Sequence, residues 1–454
     1  MSTSTSEQLL SGWGRTMASR ALVARPESVD EVAQLVDAAG PRGVLARGAG
    51  RTYGDGAQNG GGTVLDLSAF DTIELCDDGD VIAGAGVVLG QLIPRLLARG
   101  RFLPVTPGTR WITVGGAVAA DVHGKNHHVD SSFGAHVRWL DLLTADGEVR
   151  RLSPSDPDPR LFDATVGGMG LTGVLLAARF ATIDSPTASV RVTTSRIEDL
   201  DRLMARMVES DDAHRYSVAW IDAMARGRRL GRGVLTLGDH ATVDEVSHDR
   251  RARGDGVPAV DQPRLSAPPV PVSPLNRVSL AAFNEAWFRR APVMRTDEIL
   301  SLAPYFYPLD AVGGWNRLYG PGGFLQYQFA VPDSGSEVVR RTLEQLSSLR
   351  APSFLSVLKR FGPGRDRSPL SFPLAGWTLA IDLPTRTPGL GGVLDGLDED
   401  VLAAGGRLYL AKDSRAVPAT IAAGYPQLAE FRSTKNDVDP HGVFVSDLSR
   451  RLAL

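Results

Sequence analysis

Apolar positions in the first part of the chain recur with two different periods, and the alternation between them outlines the architecture. The run "ALVARP" has the compact apolar character of a strand, and "ESVDEVAQLVDAAG" behind it has the spacing of an amphipathic helix. Ser28 and Glu31 form a capping box ahead of that helix, and Gly40 is its expected stop. Further strands are predicted at "GVLARG", "TVLDL", "DTIEL" and "DVIAGAGV", then a helix over residues 89–99 that Pro94 would kink. "WLDLLTADGEVRRL" reads as a hairpin turning at Asp146-Gly147, and "TGVLLAARFATI" as one more buried strand.

Beyond about residue 186 the texture changes. "ASVRVTTSRIEDLDRLMARMVES" predicts a strand leading into a helix and "HRYSVAWIDAMARG" another strand, as if a second sheet begins there. Residues 243–275 are polar and proline-rich and are expected to form a mobile loop or lid. "GGFLQYQFAVP" and "GWTLAIDLP" return to strand periodicity, with Gln326 and Gln328 on one face and Tyr327 on the other. Two amides on one strand face suit either a polar pocket floor or a solvated surface.

Composition narrows the function classes. A chain of 454 residues that is 43% hydrophobic can bury a sizeable core and divide into two domains. The formal net charge of -3 supplies no field for capturing nucleic acid. One cysteine, Cys76, excludes an internal disulfide framework and a cysteine-built metal site. The opening "MSTSTSEQLLSGWGRT" lacks the basic and apolar regions of an export signal, and its Ser/Thr start is expected to be a disordered tail. No apolar run is long enough to span a bilayer, so the expected location is cytoplasmic or peripheral to a membrane.

Glycines cluster at residues 48–62, 108–116, 124–134 and 167–173, which points to a long ligand wrapped by several loops. Familiar nucleotide motifs fit poorly. "RGAGRTYGDG" spaces its glycines as G-x-G-x-x-x-G, against a nicotinamide fingerprint, and "HGKN" has neither the first glycine nor the Ser/Thr of a P-loop. His123 and His127 have i, i+4 spacing, but Gly124 intervenes and nothing completes a tetrahedral set, so no metal is expected. Lys125 and the neutral imidazoles beside these glycines suit contact with an anion or a redox ring.

In this order, "ARGAGRTYGD", "NGGG", "PGTRWITVGGAVAADVHGKNHH", "DLLTADGE", "ATVGGMGLTG", "WNRLYGPGGFLQYQF" and "LAKDSR" resemble the FAD-dependent oxidase subunits of the decaprenylphosphoryl-β-D-ribose 2′-epimerase family, within the vanillyl-alcohol-oxidase-like flavoproteins. The resemblance spans nearly the whole chain. It implies an α+β, two-domain PCMH-type FAD-binding fold: an FAD domain from residues 1–186, a substrate domain on an antiparallel sheet from 187–406, and a C-terminal segment, 407–454, returning to the FAD domain. It implies that Arg47, Gly48, Ala49, Gly50, Arg51, Thr52 and Tyr53, with Gly108, Thr109, Thr113, Gly115 and Gly116, cradle the cofactor. Gly170, Thr172 and Val174 would lie along the flavin, with His123 and Tyr409 also against FAD. Arg51 stands where many relatives carry a flavin-linking histidine, so the FAD would be non-covalent.

The activity so implied is transfer of a hydride from C2′ of a lipid-linked pentose phosphate to FAD, with a separate NAD(P)H-dependent short-chain reductase as partner. Lys412, Gln328 and His123 match the family's catalytic positions, and Lys125, Trp220, Gln326, Lys359 and Thr378 match residues lining the sugar pocket. Salt bridging to Asp413 is the ordinary alternative for Lys412, and structural duty for His127 and His128. Thr378, Ala380 and Phe306-Tyr307 depart from better-known members and would alter the pocket mouth. Two other readings compete: a flavin oxidase of a free sugar, alditol or hydroxy acid, and a non-catalytic binding protein on the same fold.

Overall fold

The computed structural model describes residues 5–248 and 265–454. Three sheets carry it. Strands Thr5–Ser11, Ala18–Ala24, Thr63–Asp66 and Val44–Arg47 form a four-stranded sheet in that order, with parallel pairing among the last three. Ile73–Leu75, Val81–Gly84, Val174–Phe180, Val137–Leu143 and Val149–Leu152 form an antiparallel five-stranded sheet. An antiparallel sheet of eight runs from Met294–Ser301 through Ser189–Ile197, Gly233–His240, Tyr216–Ile221, Ser356–Phe361, Gly376–Pro384 and Phe324–Val331 to Arg407–Leu408.

Alternation decides which face of the large sheet meets which neighbour. Tyr327, Phe329, Leu379, Ile381 and Leu358 point to one side, where helices Glu337–Leu349 and Leu390–Ala403 contribute Val339, Leu343, Leu394, Leu397 and Val401 to the same apolar core. Their neighbours Gln326, Gln328, Thr378 and Asp382 point to the other, and that face is closed by segments of the first part of the chain.

The hairpin with Gly147 at φ +81° and the capped helix Val29–Asp37 form as the pattern predicts. Three expectations need correction. The supposed tail contains a strand: residues 5–11 pair along their whole length with 18–24, and the chain continues as Gly12–Gly14 against the 52–54 loop. Helix Val29–Asp37 ends before Gly40, with the Ala38 and Ala39 N–H groups bonded to the Gln34 and Val36 carbonyls. The flanks of the expected 243–275 loop are ordered, as helix Val243–His248 and as strand Leu265–Ser266 paired with Val312–Gly313; the rest of it between 249 and 264 lies outside the described residues.

The C-terminal stretch packs on the first sheet. Phe444 bridges to Val44, Asp447 accepts from Ser19 Oγ (2.7 Å) and the Gly60 amide (2.9 Å), and Arg451 binds Asp55 through two nitrogens. Among the described residues no helix is long and apolar enough to cross a membrane.

Candidate active site

The loop after strand Val44–Arg47 is clamped from both sides by backbone. Trp13 and Gly14 donate to the carbonyls of Thr52 and Tyr53 at 2.7 and 2.9 Å, and the Tyr53 amide donates to Ala411 at 3.0 Å. The approach is closer than a side chain permits: a Cβ on Gly12 would lie 2.0 Å from the Gly54 carbonyl, and one on Gly54 would lie 1.9 Å from that of Asp413. Gly48 is likewise pressed on Thr113, whose hydroxyl would meet an added Cβ at 2.1 Å, while Gly50 takes φ +61°. The glycine spacing therefore joins the 47–54 loop, the 113–116 turn and the C-terminal segment in one structure.

Beside this loop lies a cavity of about 540 Å³ lined by Arg15, Arg47, Arg51 and Arg317 together with Trp13 and Asn316. Four guanidinium groups around backbone-rich walls suit a polyanion such as a diphosphate. Arg51 lies over the Trp13 ring at 4.0 Å, and its Nε and the Thr52 hydroxyl are buried with no hydrogen-bond partner among the described residues. Burial lowers the Arg51 pKa, with Asp310 opposing the shift. Gly108 and Gly170, the latter at φ +74°, face open space where an added Cβ meets nothing within 4 Å. Orphaned donors, open glycines and this charge pattern fit an FAD diphosphate; of the lining, Arg47, Ala49, Gly50 and Arg51 were expected from the sequence, and Arg15 and Arg317 were not.

Several of the expected site side chains, Gln326, Gln328, Lys359 and Thr378, come from the polar face of the large sheet. Its register aligns Gln326 with Asp382, Gln328 with Ala380, and Lys359 with Thr378, and it places Trp220 opposite Val357. Gln328 Nε2 donates to the Thr378 hydroxyl at 3.3 Å and faces His123 Nε2 at 3.1 Å; Lys359 Nζ sits 2.9 Å from His123 Nδ1. The Thr378 hydroxyl donates in turn to the Phe329 carbonyl, so the Gln328 amide group is the donor in both of its bonds. A neutral imidazole that accepts at Nε2 carries its proton on Nδ1, and that proton meets Lys359, which accepts it as a free amine.

Electrostatics agree with this chain of bonds. His123 is held well below its usual pKa by burial, then by Lys359, His127 and Lys412. Lys359 is pushed down to about 7 by burial, with Lys412 and Lys125 adding to the shift. Lys412 lies 3.8 Å above the Tyr53 ring; burial lowers its pKa and Asp382 opposes. Burial is the main cause of the lowering at Lys359 and Lys412, and only Lys359 is lowered further by neighbouring amines; an amine brought near 7 can take up and release protons at physiological pH.

The competing explanations now separate. Asp413 does not hold Lys412: its carboxylate accepts from Arg451 at 2.8 Å and from the amides of Arg415 and Ala416. Gln326 and Gln328 are 8% and 4% exposed, so the amide face is not a solvated surface. Tyr327, on the other face, donates to Asp398. His128 binds the His214 carbonyl at 2.9 Å, a structural contact, whereas His127 packs on Phe361 with both ring nitrogens unpartnered among the described residues.

Several expected site residues sit elsewhere. Lys125 is drawn away from the amide cluster to the Tyr305 carbonyl, with its ammonium over the Tyr305 ring at 4.2 Å. Thr378 is fully buried and spends its hydroxyl on Gln328 and Phe329, so it positions Gln328 instead of facing a ligand. Thr172 bonds Thr165 inside the core and Val174 is buried at a strand start, leaving Gly170 as the open member of that trio. Phe306 and Tyr307 are core residues, Tyr307 sharing a 2.7 Å bond with Thr106, so their departure from the pattern does not shape a pocket mouth. Trp220 donates to the Phe354 carbonyl at 2.8 Å, and Tyr409 stacks on Phe372 while donating to the Ala120 carbonyl.

Sequence reasoning missed two buried carboxylates. Asp310 accepts from the Thr109 hydroxyl and the Arg110 amide at 2.7 and 2.9 Å, fixing the second glycine segment. Asp382, fully buried, accepts from Gln326 Nε2 at 2.6 Å and leaves its other oxygen without a partner among the described residues. An isolated acid inside an apolar strand was the available signal for Asp382.

Comparisons with known proteins agree with the geometry. An FAD binding domain model matches residues 20–153, which include both glycine segments of the cradle. Decaprenylphosphoryl-beta-D-ribose oxidase of Mycolicibacterium smegmatis is 42% identical over 99% of this chain and 98% of its own length. A Streptomyces coelicolor protein from the mprA 5′ region is 41% identical over 81% of this chain and the whole of its own. Alditol oxidase of a Streptomyces species is 27% identical over 95% of each. With near full-length identity of this degree and an FAD cradle in place, the chain belongs to the FAD-dependent oxidoreductase family that includes decaprenylphosphoryl-β-D-ribose oxidase.

Proposed function

We propose that the protein oxidises the 2′-hydroxyl of a polyprenylphosphoryl-β-D-ribose to the 2′-ketone, the first half of an epimerisation that yields an arabinose donor for cell-wall arabinan. The observation that carries this reading is the buried chain Thr378–Gln328–His123–Lys359 beside Lys412, in a relative of a decaprenylphosphoryl-β-D-ribose oxidase. When bound, FAD supplies the acceptor for a hydride from an alcohol carbon.

The protein's own residues handle the proton and the charge. Gln328 and Gln326 orient sugar hydroxyls from the pocket floor. As the C2′–H bond breaks with its electron pair, the O–H proton passes to the His123–Lys359 pair, whose terminal amine is free above about pH 7, and the C–O bond becomes a carbonyl. Lys412 supplies positive charge where negative charge accumulates, in surroundings dry enough to make it effective. Arg15, Arg47, Arg51 and Arg317 hold the cofactor's diphosphate without a covalent bond to the flavin. A separate NAD(P)H-dependent short-chain reductase completes the epimerisation by returning a hydride to the opposite face.

Anaerobic titration of the FAD-loaded protein with a polyprenylphosphoryl ribose tests the reading. Bleaching of the oxidised flavin spectrum is expected. A flavin that stays oxidised with this substrate but is bleached by a free alditol would replace the proposal with the alditol-oxidase reading.

A further inference from the structure

Helix Arg277–Arg290 buries a stripe of Leu280, Asn284 and Phe288 at 3%, 1% and 4% exposure, with the Asn284 amide tied to Asp222 and the Ser353 carbonyl. Beside that stripe, positions 283, 286, 287 and 290 follow one another along the helix surface. Phe283 and Trp287 stack there with ring centres 6.1 Å apart and remain 45% and 47% exposed. Val293 and Met294, just past the helix end, add apolar surface at 70% and 57% exposure. The charges around them are mainly basic: Arg290 and Arg277 bind no described residue, while Arg289 and Arg295 are balanced by Glu285 and Glu298. Stacked aromatics with an apolar rim and unpaired arginines make a surface complementary to the interfacial zone of an anionic bilayer.

Its position relative to the site gives this surface a purpose. From Phe283 the rings continue inward: Phe354 at 6.0 Å, Tyr319 at 6.1 Å, Phe324 at 4.1 Å and Tyr53 at 5.4 Å, with the Lys412 ammonium 3.8 Å above Tyr53. We infer that the Phe283–Trp287–Arg290 strip, with Val293 and Met294, docks on an anionic lipid bilayer, at the outer end of a packed aromatic cluster whose inner end lies under Lys412. The docking does not rest on the proposed substrate, and the two are tested separately.

The test is co-sedimentation of the full-length, FAD-loaded protein with phosphatidylcholine vesicles, with and without phosphatidylglycerol. Binding to the anionic vesicles is expected, weakened about tenfold in F283S/W287S and also in R290E, with R290E losing its difference from wild type at high salt. All three proteins should reduce their flavin equally fast with a short-chain, water-soluble prenylphosphoryl ribose, since none of these side chains belongs to the catalytic cluster. Equal vesicle binding by wild type and both variants would overturn the inference. So would a wild-type dimer that F283S/W287S turns into a monomer with no vesicle binding, because the face would then be covered by a second copy. Failure of the soluble substrate to bleach any of the proteins, with vesicle binding intact, would instead strike the substrate assignment and leave the docking surface standing.

Discussion

The 47–54 loop and the amide face of the large sheet meet at Tyr53 and Lys412, yet they are built on opposite principles. The loop is a backbone device, in which glycines allow three chain segments to approach within distances that any Cβ would violate. The amide face is a side-chain device, in which alternate residues of three strands form one hydrogen-bonded row. On the proposed function, the first holds the cofactor and the second performs the chemistry on the substrate. Damage to the loop should therefore cost the cofactor and the fold, and damage to the row should cost rate alone.

Gly54→Ala is expected to have the largest effect, since its methyl group would drive into the Asp413 carbonyl between two backbone segments with no flexible side chain to yield. We expect loss of bound FAD and a destabilisation of about 3 kcal/mol, read from the flavin-to-protein absorbance ratio and a thermal melt. Lys412→Ala should show the opposite signature, with FAD content retained and turnover reduced about a thousandfold. FAD loss in Lys412→Ala would erase the distinction between the two regions.

Smaller changes sharpen the row itself. Lys359 accepts a proton only as a free amine, and its pKa is about 7, so kcat should rise through pH 7 and level off above it. Lys359→Met should lower kcat about a hundredfold and flatten that rise; an unchanged pH profile would remove Lys359 from the proton path. Asp382 tests stability instead. Burial raises its pKa to about 7 in the fold, from about 4 in the unfolded chain, so its contribution is complete below pH 4 and is lost as pH rises toward 7. Asp382→Asn, neutral throughout, should keep Tm flatter across that window, in a differential scanning series. Thr378→Val, which frees the Gln328 amide from its anchor, should cost less than about tenfold in kcat and leave KM nearly unchanged.

The two regions also differed in how far the sequence disclosed them. Glycine clustering points directly to a backbone device wrapped on a long ligand, and the resemblance narrows it to residues 47–53 and 108–116. A hairpin with Asp146-Gly147 at its turn is legible for the same local reason. The amide row was half legible: period-two spacing put Gln326 and Gln328 on one face, but only burial distinguishes a pocket floor from a wet surface. Asp382 and Asp310 escaped notice because their partners lie far away in sequence, Gln326 at 56 residues and the Thr109 hydroxyl and Arg110 amide at 201 and 200. Residues 5–11 were misread because a polar, exposed edge strand has no composition that sets it apart from a tail; its pairing with 18–24 makes it a strand. Lys125, named from the resemblance, turns its side chain toward the Tyr305 carbonyl, a contact 180 residues away that no local pattern signals.

The central claim is that this site removes a hydride from C2′ of a lipid-linked ribose. Its most direct test is the rate of anaerobic flavin bleaching, by stopped flow, with polyprenylphosphoryl ribose carrying deuterium at C2′ and, separately, at C3′. The account predicts several-fold slower bleaching with the 2′-deuterated substrate and an unchanged rate with the 3′-deuterated one. Slowing by the 3′ label alone, or by neither label with no bleaching at all, would contradict it.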